Sequence, residues 1–119
     1  MDLSERREPE VDPAALSALE LRVGTVRSAE LNPRARVPAY VLEIDFGAVI
    51  GRRRSSAQLT HNYTASELVG RQVVAAMNLG SRRVAGVTSE VLVLGALDPG
   101  TGTILLAPTA PVADGARIA

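Results

Sequence analysis

The sequence predicts an all-β fold: one five-stranded barrel with short helices and terminal extensions. Two observations predict it. Apolar and β-branched residues alternate with polar ones over short runs, and Gly, Pro, Asn or Asp separate the runs, which is the pattern of strands joined by turns. A single strongly capped helix interrupts the series after the third run. The length of 119 residues suits one domain, and 46% hydrophobic against 22% charged residues is enough to build a core.

Taken in order, residues 1–12 are polar, charged and aperiodic, and are expected as a disordered tail before a domain at 13–119. Asp12-Pro13 reads as a helix start, with Asp as N-cap and Pro at the first helical position, so a short helix follows over Ala14 to Ala18. Leu19 to Ala29 is the first strand. It carries Leu19, Leu21, Val23 and Thr25 on one face and Glu20, Arg22 and Gly24 on the other. Asn32-Pro33 ends it, and the RARVP stretch is a loop. Ala39 to Gly47 is the clearest alternation, with Tyr40, Leu42, Ile44 and Phe46 inward and Val41, Glu43 and Asp45 outward.

Arg52 to Leu59 is the third strand. With Ala57 and Leu59 in the core, Arg52, Arg54, Ser56 and Gln58 line the other face. Thr64-Ala-Ser-Glu67 matches the capping box and opens a helix from Ala65 to Val69, ended by Gly70. Arg71 to Asn78 and Ser89 to Leu97 are the fourth and fifth strands. The polar stretch between them holds Gly80, Gly86, Arg82 and Arg83, and reads either as a binding loop at the sheet rim or as an ordinary hairpin with solvated arginines. Thr103 to Ala107 and Ala116 to Ile118 are short terminal strands. A helix between the third and fourth strands of a five-stranded barrel is the arrangement of the OB-fold, whose strand 2–3 face binds oligonucleotides and oligosaccharides.

Composition excludes several chemistries. No Cys occurs, so disulfides, thiolate metal sites and cysteine nucleophiles are ruled out. His61 is the only His, which leaves a transition-metal site to Asp and Glu alone. Ser55 or Ser56, His61 and Asp45 have no spacing that supports a triad. The GAVIGRRRS stretch fails the phosphate-loop pattern, because only Ala48, Val49 and Ile50 separate its glycines and no Lys follows. No catalytic residue, metal or cofactor is expected. No apolar run approaches the roughly 20 residues that span a bilayer. The charged N-terminus lacks an apolar signal core, so a cytoplasmic protein without membrane insertion is expected.

Net charge is zero but uneven. Residues 1–30 hold seven acids and four arginines, a balance of −3, while residues 31–90 hold eight arginines and four acids, a balance of +4. The middle of the chain therefore suits an anionic partner. Every cation is Arg, whose planar fork matches phosphates and base edges. Tyr40, Phe46 and Tyr63 are the only aromatics, too few for a base-stacking platform. Recognition would rest on Arg–phosphate contacts with hydrogen bonds from Ser, Gln and Asn, which argues for structured RNA or modest affinity and against general single-strand coating.

Several stretches together resemble the CsaA family: LRVGTV at 21–26, RVPAYVLEIDFG at 36–47, SSAQLT at 55–60, Tyr63-Thr64, and SEVLVLG at 89–95. That family is similar to the tRNA-binding domain appended to methionyl- and phenylalanyl-tRNA synthetases. The resemblance implies an OB-fold homodimer that binds tRNA by shape, or alternatively an export-related chaperone for unfolded or precursor peptides. It assigns RNA-binding roles to Arg53 and Arg54 before the SSAQ motif, to Ser55, Ser56 and Gln58 within it, and to Asn78, Arg82, Ser89 and Glu90 in an N…R…SE pattern. Arg83 joins them at a position that is polar in relatives. Val87-Thr88 and Leu79-Gly80 depart from the bulkier, more aromatic residues of the family, which predicts little apolar room near the Ser-Glu pair. A second subunit is also expected to cover the apolar Ala14–Leu19 segment and the C-terminal residues.

Overall fold

The computed structural model describes residues 7–119; residues 1–6 of the expected tail lie outside the described residues, and Arg7 to Asp12 run exposed and without regular structure. Helix α1 spans Ala14–Ser17. The Asp12 carboxylate accepts the Ala14 N–H at 2.9 Å and Pro13 adopts helical angles, the start that Asp12-Pro13 encodes. Strands β1 (Leu21–Leu31), β2 (Tyr40–Asp45) and β3 (Arg52–Ala57) form a meander. Helix α2 (Ala65–Leu68) precedes β4 (Gln72–Ala76). Then come β5 (Arg82–Val84), β6 (Val87–Ser89), β7 (Leu92–Val93), β8 (Gly95–Asp98) and β9 (Gly102–Leu105).

The main sheet has the order β3-β2-β1-β4-β7, all antiparallel pairs, and curls into an OB-type barrel. Two small hairpins, β5-β6 and β8-β9, complete it. The barrel interior is filled by Val26, Tyr40, Leu42, Ile44, Phe46, Leu59, Leu68, Val73, Ala75 and Val91. Alternation placed Tyr40, Leu42, Ile44 and Phe46 inward, and all four are buried. Tyr40 donates its hydroxyl to the Tyr63 carbonyl at 2.7 Å, so its polar end is satisfied at the barrel end.

Helix α2 plugs one end of the barrel through Leu68, which is fully buried. Its capping box is complete: the Glu67 N–H donates to the Thr64 hydroxyl at 3.3 Å, and the Glu67 carboxylate accepts the Thr64 N–H at 3.0 Å. That backbone bond first, then the Thr64 hydroxyl, holds the Glu67 carboxyl below its ordinary value, with nearby Arg71 helping.

The interior face of β1 is the one the alternation assigned to Gly24. A Cβ on Gly24 would lie 2.7 Å from Ile44 Cγ2 and 2.7 Å from Phe46 Cδ1, so the missing side chain makes room for the Phe46 ring. Val23 and Thr25 point outward yet are buried, because the C-terminal segment covers them. The Gly115 N–H donates to the Val23 carbonyl at 2.7 Å, the Val23 N–H donates to the Ala116 carbonyl at 2.9 Å, and the Thr25 hydroxyl donates to Asp114 at 2.6 Å. The expected strand at Ala116 to Ile118 is reduced to a single bridge, Arg22 to Arg117, flanked by these bonds.

The expected fifth strand, Ser89 to Leu97, is divided into three pieces. The chain leaves β6, passes across the edge of β3 at Glu90 and Val91, pairs briefly with β4 as β7, and turns away as β8. Among the described residues no helix is long and apolar enough to cross a membrane.

Candidate nucleic-acid interface

The β2–β3 register fixes which β3 side chains face outward. Directly paired residues share a face. Ile44 stands opposite Arg53, Leu42 opposite Ser55, and Tyr40 opposite Ala57; Asp45 stands opposite Arg52, Glu43 opposite Arg54, and Val41 opposite Ser56. The outer face therefore carries Arg52, Arg54 and Ser56, as the strand period predicts, and Gln58 is exposed just beyond the strand. Ser55 is different. It is wholly buried on the inner face, and its hydroxyl lies 3.5 Å from the Ser56 carbonyl. Arg53 starts on the inner side at the barrel end, where its Nη1 donates to the Arg52 carbonyl at 2.9 Å.

Strand β3 is the edge of the main sheet, so the N–H groups of Arg54 and Ser56 that point away from β2 need acceptors. Glu90 and Ser89 supply them with side chains. The Glu90 carboxylate accepts the Arg54 N–H at 3.0 Å, and the Ser89 hydroxyl accepts the Ser56 N–H at 3.0 Å. In return the Arg54 carbonyl accepts the N–H groups of Glu90 at 2.8 Å and Val91 at 3.3 Å. The Ser-Glu pair thus closes the barrel where a regular strand would otherwise pair.

The stretch read as either a loop or an ordinary hairpin forms a short hairpin of its own. Arg82 pairs with Ser89, Arg83 with Thr88 and Val84 with Val87, around a two-residue turn in which Ala85 (φ 47°) and Gly86 (φ 85°) are both left-handed. One hairpin face holds Arg82, Val84 and Ser89. The other holds Arg83, whose Nη1 donates to the Thr88 hydroxyl at 3.1 Å. Asn78 is occupied elsewhere: its Oδ1 accepts the Glu20 N–H at 2.8 Å and its Nδ2 donates to the Ala18 carbonyl at 2.9 Å, tying the end of β4 to the segment between α1 and β1.

Charge pairing separates the arginines into two sets. Arg22 pairs with Glu20 at 2.6 Å, Arg27 with Asp45 and Asp114 at 3.7 Å each, and Arg52 with Glu43 at 3.0 Å. Among the described residues no carboxylate lies within 4.0 Å of the guanidinium of Arg53, Arg54, Arg82 or Arg83, and the same holds for Arg34, Arg36, Arg71 and Arg117. Arg52, which the period added to the row, is thus partly neutralised.

An open cavity of about 780 Å³ lies between β3 and the hairpin, with Ser56, Gln58, Arg82 and Ser89 on its polar side. Leu79, Leu92, Leu97 and Leu105 form its apolar wall. Leu92, Leu97 and Leu105 were not singled out in the sequence; of the two departures that predicted little apolar room, Leu79-Gly80 lines the cavity and Val87-Thr88 does not. Asn32 and Arg34 also bear on the site without having stood out: Asn32 Nδ2 donates to the Ala85 carbonyl at 3.3 Å, and the Arg34 guanidinium lies against Gly86. The Asn-Pro pair had signalled only a strand end. Among the described residues no group of three or more His, Cys, Asp or Glu is arranged to hold a metal.

Comparison with known proteins matches residues 21–117 to the family described as Putative tRNA binding domain. A methionine–tRNA ligase from Porphyromonas gingivalis is 35% identical over 100 residues, which is 84% of this chain and 14% of the ligase. The chain therefore spans about one seventh of the length of that relative. The crystal structure of chaperone CsaA from Bacillus anthracis superposes with a TM-score of 0.88 at 43% identity, covering 93% of this chain and 100% of that one. The CsaA chaperone protein from Picrophilus torridus gives 0.87 at 38% identity, covering 92% and 100%. With its barrel, its motifs and nearly its whole described length accounted for in this way, the chain belongs to the CsaA family of tRNA-binding domain proteins.

Proposed function

We propose that the chain is a non-catalytic tRNA-binding protein that recognises structured RNA through the outer face of β3 and the β5-β6 hairpin. The observation that carries this reading is position together with charge: Arg54 on the outer face of β3 and Arg82 on the cavity side of the hairpin have no carboxylate within 4.0 Å among the described residues, while Arg34, Arg36, Arg71 and Arg117 share that freedom away from this face. Guanidinium groups left free of acids are available to phosphate. Arg54, Ser56, Gln58 and Arg82 form the central contact set, Arg53 at the barrel end and Arg83 on the far face of the hairpin flank it, and Ser55, Asn78, Ser89 and Glu90 act through the scaffold that presents it. Membership of a tRNA-binding family supports the partner. The unit that binds is the domain at 13–119, acting in the cytoplasm as a homodimer. Leu16 (60% exposed) and Ile118 (38% exposed), at the two ends of the described chain, are candidate interface residues. A dimer doubles the basic surface and raises affinity through linked weak sites.

Purified protein mixed with tRNA at low and moderate salt tests the reading. Binding should weaken steeply with salt as counterion release is lost, and changing Arg53 and Arg54 to Ala should lower affinity while the protein stays folded. Absence of a complex at low salt would refute it. Sedimentation at micromolar concentration should show a dimer; a monomer alone removes that part.

A second reading, binding of unfolded or precursor peptides, is favoured by the apolar cavity walled by Leu79, Leu92, Leu97 and Leu105. Changing Leu92 to Asp should abolish suppression of client aggregation and spare tRNA binding if the cavity takes peptides.

A further inference from the structure

The stretch before α1 carries charge opposite to the rest of the chain. Residues 1–12 hold five acids and two arginines, a balance of −3, while residues 13–119 hold eight acids and eleven arginines, a balance of +3. Asp12 uses its carboxylate at the helix start, where it accepts the Ala14 N–H at 2.9 Å. That leaves Asp2, Glu5, Glu8 and Glu10. Glu8 and Glu10 are exposed, and among the described residues neither carboxylate pairs with a cation within 4.0 Å. Pro9 disfavours helical angles at Glu8, so the stretch does not simply lengthen α1. It also precedes the family-matched residues 21–117.

The root of this stretch is fixed beside the cavity. Leu21 pairs with Ala76, the Met77 N–H donates to the Glu20 carbonyl at 2.8 Å, and Asn78 Nδ2 donates to the Ala18 carbonyl at 2.9 Å. Leu79 and Gly80, the next two residues of the chain, line the cavity. Helix α1 has only four residues, about 6 Å of rise, so it carries the chain little distance away. Residues 1–11 extend to about 36 Å and can cross the cavity with slack.

The cavity matches the stretch in charge and in apolar surface. Arg82 lines it, and Arg54 stands on the adjoining face of β3. Its apolar wall is uncovered, because Leu79, Leu92 and Leu97 are all exposed. An apolar surface rimmed by polar groups and open to water marks a contact site. Residues 1–11 offer Leu3 between Asp2 and Glu5 as the complementary apolar group.

We infer that residues 1–11 dock on this cavity as an internal competitor of RNA, with Leu3 against the leucine wall and the flanking acids facing Arg82 and Arg54. The docking stands apart from the tRNA reading above; the competition rests on it. A short tether holds its free end at an effective concentration in the millimolar range. A contact with an intrinsic dissociation constant of about 0.3 mM then leaves the face free in about a quarter of the molecules, which lowers apparent RNA affinity about fourfold.

Because the chain has no Cys, Ser4→Cys takes a single nitroxide label in the full chain. The label should broaden the amide signals of Gln58, Arg82 and Leu92 at low salt, and the broadening should fade as salt screens the contact. It should be much weaker in Leu3→Ser, which keeps every charge, and in a neutralised chain with Asp2→Asn, Glu5→Gln, Glu8→Gln and Glu10→Gln. The neutralised chain should bind tRNA about fourfold more tightly at low salt, and Leu3→Ser should show a smaller gain. Equal broadening in all three chains overturns the docking. If the neutralised chain binds tRNA more tightly while Leu3→Ser matches the wild type in broadening and affinity, the stretch acts through net charge alone and the docked contact is overturned. If broadening responds to both variants and tRNA affinity does not, the competition is overturned and the tRNA reading stands. If no chain binds tRNA at low salt, the tRNA reading falls, and broadening lost in Leu3→Ser still upholds the docking.

Discussion

The carboxylate of Glu90 accepts the backbone N–H of Arg54 at 3.0 Å, and the Arg54 carbonyl accepts the backbone N–H of Glu90 at 2.8 Å. This reciprocal pair joins the edge of β3 to the far side of the barrel. It recasts an acidic residue on a proposed RNA face as part of the closure. Glu90→Ala should cost about 1 kcal/mol, the usual net worth of such a hydrogen bond, and Glu90→Gln less, because the amide oxygen still accepts. Urea midpoints measure the cost. Folded Glu90→Gln should bind tRNA at least as well as the wild type; a clear loss of affinity would make Glu90 a direct contact.

Gly24 leaves space that the Phe46 ring fills. Gly24→Ala puts a methyl group 2.7 Å from ring and Ile44 carbons, and overpacking of this kind costs about 1–3 kcal/mol. Thermal unfolding should show the loss, and adding Phe46→Leu should recover part of it.

Asn78 binds two backbone groups of the N-terminal segment. Removing it in Asn78→Ala deprives the Glu20 N–H and the Ala18 carbonyl of partners, at about 1–2 kcal/mol. Limited proteolysis should then cut before β1 faster, while tRNA affinity of the folded protein stays at the wild-type level.

The helix cap predicts a pH dependence. Glu67 is held below the ordinary glutamate value of 4.5 by the Thr64 N–H and hydroxyl. A carboxyl lowered by folding stabilises the native state fully above its unfolded value, and the contribution fades as pH falls through the lowered folded value. Glu67→Gln should therefore be less stable than wild type at neutral pH, with the gap closing on the acid side of 4.5. Thr64→Ala, which removes the N-cap acceptor itself, should cost about 1 kcal/mol. Chemical denaturation at neutral and acid pH tests both.

What was legible in the sequence is what local periodicity and capping control. The inward set Tyr40, Leu42, Ile44 and Phe46, the outward set of β3 and the Thr64–Glu67 box all depend on neighbours within one element. What was hidden depends on distant partners. The alternation put Val23 and Thr25 on one face of β1 without showing what covers it; they are buried from outside by a segment whose Asp114 is 89 residues away from Thr25. The hairpin's register and turn were hidden because Ala85 sits where Asn, Asp or Gly would have announced a two-residue turn. At the candidate site the period located Arg54, Ser56 and Gln58. The closing roles of Ser89 and Glu90 depend on the curl of the whole barrel, and no spacing within either motif encodes that.

The double covering of β1 has a dynamic consequence. Val23 to Val26 are buried, with the Phe46 side of the core beneath them and Asp114 to Ala116 above. Amides there can meet solvent only when the barrel and its outer segment open together, so they should be among the slowest to exchange hydrogen for deuterium. The first strand and the last described residues then melt as one cooperative unit, and events near either end of the domain are felt at the other.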